Sequence, residues 1–101
     1  MLNSKQRAKL RGIASTYETI LQAGKNGISD NLIKQIDDAL RKREMIKIGV
    51  LDNSPESARE LADQLAEPVK ADVVCVIGSK IVLYRPNRKK PVISDMIRKI
   101  K

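Results

Sequence analysis

Apolar residues in this chain recur with two periods, and the alternation between them sets out a series of elements. From Ser4 to about Thr16, Leu10, Ile13 and Tyr17 fall at i, i+3 and i+7 with Ala14 alongside, predicting a first helix with one apolar stripe. Glu18 to Gln22 reads as a short strand. Leu32, Ile33, Ile36 and Leu40 return to the helical period, so a second helix is expected from a cap at Ser29 or Asp30 to about Lys42. Met45 to Val50 reads as a second strand. Ser54 and Pro55 read as the cap and first position of a third helix, with Ala58, Leu61, Ala62 and Leu65 facing inward and an end before Pro68. Asp72–Ile77 and Lys80–Tyr84 are strand runs separated by Gly78-Ser79, a two-residue hairpin signal of type II′. Val73 to Ile77 is apolar at every position, which predicts a central strand covered on both faces.

The resulting order, α-β-α-β-α-β-β, implies an α/β fold in two or three layers around a mixed four-stranded sheet. Residues 1–86 form the expected domain. Beyond it, residues 87–101 are a basic C-terminal extension. Ile93, Met96, Ile97 and Ile100 sit there at helical spacing, consistent with a short amphipathic helix. Such a helix either docks on the domain or meets a partner or an anionic membrane surface.

Charge changes the picture more than composition does. The 101 residues carry a net +8, distributed as +4 over residues 1–12, +6 over 85–101 and −2 between. Clustered positive charge points to a polyanionic partner. On the first helix, Lys5 and Lys9 fall on one flank of the apolar stripe and Arg7 and Arg11 on the other, so the cations border the buried face. Asp37–Arg41 and Asp38–Lys42 are favourable i, i+4 pairs on a solvated face.

Between the first strand and second helix lies Gly24-Lys25-Asn26-Gly27. Two glycines three apart allow a bend through positive φ and leave room for a ligand's backbone. The following helix start favours phosphate, Lys25 adds a cation and Asn26 adds hydrogen-bonding capacity. As a motif the spacing is also that of an ordinary tight turn.

Groups for catalysis are scarce. Histidine is absent and Cys75 is the lone cysteine, so zinc, haem and disulfide chemistry lack their usual ligands. Cys75 lies in the most apolar strand and reads as a small buried hydrophobe. The glycine loop lacks the Gly-Lys-Ser/Thr ending of a P-loop. The expectation is a protein that is not an enzyme and uses no cofactor or metal. No run is long enough for a membrane span and none reads as a secretory signal, so a cytoplasmic location is expected. Phe and Trp are absent and only Tyr17 and Tyr84 are aromatic, which removes a base-stacking sheet of the RRM kind. Tyr17 reads as core, and Tyr84, ending a strand beside Arg85, reads equally well as exposed or buried.

Four segments together resemble a known family. Ser4-Lys5-Gln6-Arg7-Ala8-Lys9-Leu10-Arg11-Gly12 is similar to the opening helix of the CRM domain in its stand-alone bacterial form, the YhbY-like RNA-binding proteins. Gln22 to Gly27 resembles that family's G-x-x-G segment, Arg43 to Ile48 its second strand, and Val76 to Pro86 its final hairpin. The resemblance covers residues 2 to about 87. It implies a fold similar to the C-terminal domain of translation initiation factor 3. It also implies binding of structured RNA, with ribosomal RNA in a large-subunit precursor as the partner in ribosome assembly; the protein itself is expected to be a monomer. The implied RNA-binding residues are Gly24, Lys25, Asn26 and Gly27, with Lys5, Arg7, Lys9, Arg11, Lys80 and Arg85. Ser15-Thr16-Tyr17-Glu18 departs from the His- or Pro-containing sequence common in the family, and residues 88–101 extend past its core. A general structured-RNA or messenger-RNA binder, and a protein-interaction module acting through the basic C-terminal segment, are the alternatives.

Overall fold

The computed structural model describes residues 3–24, 28–54 and 56–86. The elements are α1 (Ser4–Ala14), β1 (Leu21–Ala23), α2 (Asp30–Arg43), β2 (Met45–Val50), α3 (Ala58–Ala66), β3 (Asp72–Ile77) and β4 (Lys80–Tyr84). One mixed sheet runs in the order β1-β2-β4-β3. β1 is parallel to β2 across the α2 crossover, and β4 is antiparallel to both its neighbours. The expected C-terminal helix lies outside the described residues.

Three layers result, because both faces of the sheet are apolar for part of their extent. On one face Ile46, Ile48, Ile81 and Leu83 meet Leu32, Ile36 and Leu40 of α2 and Leu61 and Leu65 of α3 in the main core. On the other, Met45, Val74, Val82 and Tyr84 meet Leu10 and Ala14 of α1 in a smaller second core. Asn3 caps α1 with a reciprocal Gln6 capping box, and Ser29 caps α2 by accepting from the Leu32 amide.

Several boundaries differ from the sequence pattern, each for a physical reason. β1 starts at Leu21, since only Leu21–Ala23 pair, opposite Ile48–Val50. Before that, among the described residues, the connector makes one backbone bond to the sheet, with Ile20 N donating to Lys47 O at 3.1 Å. α1 stops at Ala14, leaving Tyr17 in the connector, half-buried against the second core. Ser57, not Ser54, caps α3: its hydroxyl accepts from Glu60 N, in a Ser-x-x-Glu pattern present in the sequence. Pro55 lies outside the described residues.

The largest correction concerns β3, which is an edge strand and not a central one. It nevertheless has a helix over each face, α3 on one side and α1 on the other. A continuous apolar run therefore reported covered faces, which is a separate matter from position in the sheet. A bulge between Val73 and Cys75 interrupts its pairing with β4, a feature that blunts an exposed edge. In the hairpin turn Gly78 has φ +57° and Ser79 is not left-handed, as type II′ requires.

Candidate nucleic-acid interface

The α1 face of the sheet can be read row by row from the pairing register. The lowest row, Asp72–Tyr84–Met45, lies beneath α1, and Tyr84 is only 3% exposed. The middle row is Cys75–Val82–Lys47, with Val82 buried under α1. The upper row is Ile77–Lys80–Gly49–Gln22, crossing all four strands. Here the cover ends: Lys80 and Gln22 are exposed and Ile77 is 60% exposed. With ~3.3 Å of rise per strand residue, Lys47 and Lys80 project about 7 Å apart along the strands.

Lys80 is positioned by the lack of a side chain opposite it. A methyl group placed on Gly49 would lie 3.2 Å from Lys80 Nζ and 3.1 Å from Thr19 Cγ2. The Lys80 ammonium thus rests over the bare backbone of β2. Lys47 is half-buried in the row below, and neither lysine forms an ion pair among the described residues. Burial pushes the Cys75 thiol up, while Arg11 and Lys47 both lie close enough to pull its pKa the other way. That shared influence brings Arg11 of α1 and Lys47 of β2 to one neighbourhood.

At the upper end of the sheet three chain segments converge. Val50 N donates to Ser79 O at 2.7 Å and Leu51 N to Ala23 O at 2.8 Å, tying the hairpin turn and the loop after β2 to the end of β1. Gly24 follows directly. It does not have positive φ, and a methyl there would meet only the exposed Leu51 Cδ1 at 3.3 Å and Asn53 Oδ1 at 3.5 Å, so the position is close-packed without requiring glycine. Lys25, Asn26 and Gly27 lie outside the described residues. The start of α2 is less open to phosphate than its dipole alone implies, because Ser29 occupies the Leu32 amide and Asp30 adds a carboxylate to the first turn.

The remaining expected residues separate into two groups. Arg7 lies along the edge of β3, with Nε donating to Val73 O at 3.3 Å. Lys5 and Lys9 stand exposed on the opposite flank of α1. Arg85 points away from all of these. Its Nη1 contacts Asp37 Oδ1 at 2.6 Å and Val69 O at 2.8 Å, and its Nη2 contacts Asp37 O at 3.1 Å. This guanidinium clasps the end of β4 to α2 and to the segment before β3. The Arg85 hydrogen bond holds the Asp37 carboxyl below its usual range, against an upward push from partial burial and with help from the Arg41 charge.

Lys47 was not among the residues singled out from the sequence. Its signal was present: a lysine at the one polar position of Met45-Ile46-Lys47-Ile48-Gly49-Val50 marks a partly open face on a central strand. Among the described residues no helix is long and apolar enough to cross a membrane.

Comparison with known proteins agrees with this architecture. A Bacillus subtilis protein named probable RNA-binding protein YqeI is 42% identical over 89 residues, covering 88% of this chain and 93% of the relative. A Haemophilus influenzae protein named RNA-binding protein is 31% identical over 88 residues, covering 87% and 89% of the two chains. The solution structure of the Staphylococcus aureus protein SAV1595 superposes with a TM-score of 0.76 at 48% identity, covering 87% of this chain and 92% of that one. The profile of the CRS1 / YhbY (CRM) domain matches residues 2–85, and with that match and these relatives the chain belongs to the CRS1/YhbY (CRM) domain family.

Proposed function

We propose that this protein binds structured RNA across the open upper half of the α1 face, and that the RNA belongs to a large ribosomal subunit precursor. The carrying observation is the pair Lys47 and Lys80, two ammonium groups with no carboxylate partner among the described residues, at and above the row where the cover of α1 ends. Arg11 borders that face, and the exposed Lys5, Arg7 and Lys9 extend the positive field along α1. Ile77 on β3 and Gln22 on β1 flank the two lysines with an apolar and a hydrogen-bonding contact. Cations in this arrangement hold a sugar-phosphate backbone without reading base edges, which suits recognition of RNA by shape.

The end of β1 is tied through Leu51 and Val50 to the Gly78–Ser79 turn, and in this reading Gly24, Lys25, Asn26 and Gly27 add their contacts to the RNA from there. Arg85 contributes through the fold, since its guanidinium is already engaged by Asp37 and Val69. Relatives named as RNA-binding proteins support the ligand class, and the resemblance to the stand-alone bacterial proteins supports the ribosomal target.

The test is a double charge reversal, Lys47→Glu with Lys80→Glu, measured by fluorescence anisotropy on a structured fragment of large-subunit RNA. Affinity should fall by more than about tenfold, since each lost charge-assisted contact removes roughly 1.5–3 kcal/mol. A milder Lys47→Ala, Lys80→Ala pair should flatten the salt dependence by about two units in slope. Unchanged affinity with an intact circular dichroism spectrum would remove the open face from the mechanism. The ribosomal target is checked separately: in cell extracts the protein should cosediment with large-subunit precursors in sucrose gradients, and recovery in the free fractions alone would overturn it.

A further inference from the structure

A second concavity lies on the β1 side of the sheet, where the connector after α1 leaves the sheet before β1 begins. Because β1 pairs only with Ile48–Val50, the outer edge of Met45–Lys47 has no neighbouring strand. The Ile20–Lys47 backbone bond closes one end of the gap. What remains is a cleft of about 490 Å³ between the connector, the last turn of α2 and the start of β2. That volume falls within the roughly 300–1,000 Å³ of small-ligand sites.

Its lining is chemically specific. Lys42 and Arg43 come from the end of α2 and Lys47 from β2, and none of them forms an ion pair among the described residues: the expected Asp38–Lys42 pair is replaced by Asp38–Arg41 at 3.8 Å. Glu18 is the one acid of the wall, and Tyr17 lines the connector side. The chain holds only two aromatic residues, and Tyr84 is sealed under α1 at 3% exposure. Tyr17, half-buried with its ring against the second core, is therefore the one aromatic ring available to a base. Three cations beside a single fixed ring match the make-up of one nucleotide: a π-face to stack and an anionic backbone to neutralise. Glu18 opposes phosphate on its own side and, as an acceptor-only group, suits the donor-bearing edge of a base.

We propose that this cleft receives one unpaired nucleotide of the bound RNA, its base against Tyr17 and its flanking phosphates at Lys42, Arg43 and Lys47. The inference rests on the RNA-binding reading and deepens it: Lys47 lies on both the open face and the cleft, so one strand of RNA reaches the cleft from the face without leaving the protein. It adds what a purely electrostatic surface lacks, a preference for helices interrupted by an unstacked residue over perfect duplexes.

Two RNA hairpins of identical stem sequence test this, one with a single-nucleotide bulge and one without. The full-length protein should bind the bulged hairpin more tightly. Tyr17→Leu keeps an apolar side chain against the core but removes the ring. It should lose about tenfold on the bulged hairpin and little on the perfect one, as expected for one lost base stack. Tyr17→Phe should bind both like the unsubstituted protein. Should Tyr17→Leu fail to fold, ring resonances of the unsubstituted protein decide: with two tyrosines, those of Tyr17, assigned by their absence from Tyr17→Phe, should shift with bulged RNA only. Equal affinity for both hairpins, a Tyr17→Leu variant that loses nothing, or Tyr17 resonances that ignore the bulge would each overturn the cleft while leaving RNA binding intact. Failure to bind either hairpin would overturn both readings together.

Discussion

The two faces of the sheet are built from the same four strands yet end in opposite states. Against α2 and α3, Ile46, Ile48, Ile81 and Leu83 are at most 1% exposed, and two helices span the face. Against α1 a single eleven-residue helix covers the lower rows, and the upper row carries Lys80, Gly49 and Gln22 with Ile77 left 60% exposed. The difference comes from composition at alternate positions of the strands. On β2 one parity reads Ile46, Ile48, Val50 and the other Met45, Lys47, Gly49. The first set stabilises by burial; the second changes from apolar to cationic to bare within three positions, which limits how far α1 can cover it. One face holds the fold, and the other leaves room for a ligand.

This contrast breaks most visibly on the closed side. Leu61 is fully buried between α3 and the sheet, so Leu61→Ala should cost about 2–5 kcal/mol through lost burial and the cavity left behind. Urea denaturation should show the loss as a lower midpoint. RNA affinity, measured well below that midpoint, should stay within about twofold. A proportionate loss of affinity would mean that the two faces are not separable.

Arg85 gives the next largest effect and sharpens the division, because both it and Lys80 lie on β4 or directly after it. Arg85→Ala should lower stability by about 1–2 kcal/mol, discounted for the partial exposure of both partners. Its effect on RNA binding should be far smaller than that of Lys80→Glu. The pH dependence carries a defined sign. Asp37 has a folded-state pKa below its unfolded value, so its contribution is present above about pH 5 and is lost as the pH falls below about 4. The stability curves of Arg85→Ala and the unsubstituted protein should therefore converge in acid. A gap that stays constant down to pH 3 would show that the clasp acts through its backbone bonds alone.

Much of this division was legible in the residues, but only where the signal is local. α2, β2 and the β3–β4 hairpin follow from their apolar periods and from Gly78-Ser79, and the observed spans agree to within a residue. The position of β3 at the edge was not legible, because strand order depends on pairing between residues distant in sequence. Arg85 looked like a free cation for a related reason: its partners, Asp37 and the Val69 carbonyl, are 48 and 16 residues away. The cationic cluster of α1 was read correctly as flanking an apolar stripe. That Lys47 joins Arg11 near Cys75 became visible only once β2 was seen beneath the helix.

Gly49→Ala is the smallest perturbation, and it separates the two faces at a single carbon atom. The added methyl projects from the α1 face, 3.1 Å from Thr19 Cγ2 and 3.2 Å from Lys80 Nζ, with Gln22 Cγ at 3.8 Å. The lysine is a flexible end and swings away; the Thr19 methyl must give by a few tenths of an ångström. Replacing a strand glycine gains roughly 0.5–1 kcal/mol from reduced backbone freedom, which offsets that crowding, so net stability should change by less than about 1 kcal/mol. Lys80, by contrast, loses its resting place over the bare backbone. RNA affinity should fall by about threefold, a fraction of the effect of removing a charge-assisted contact outright. Anisotropy and thermal melts on the same preparation check both halves. If affinity is unmoved while Lys80→Glu remains strongly impaired, the ammonium engages RNA from some other rotamer, and Gly49 then serves the fit of Thr19 against the sheet.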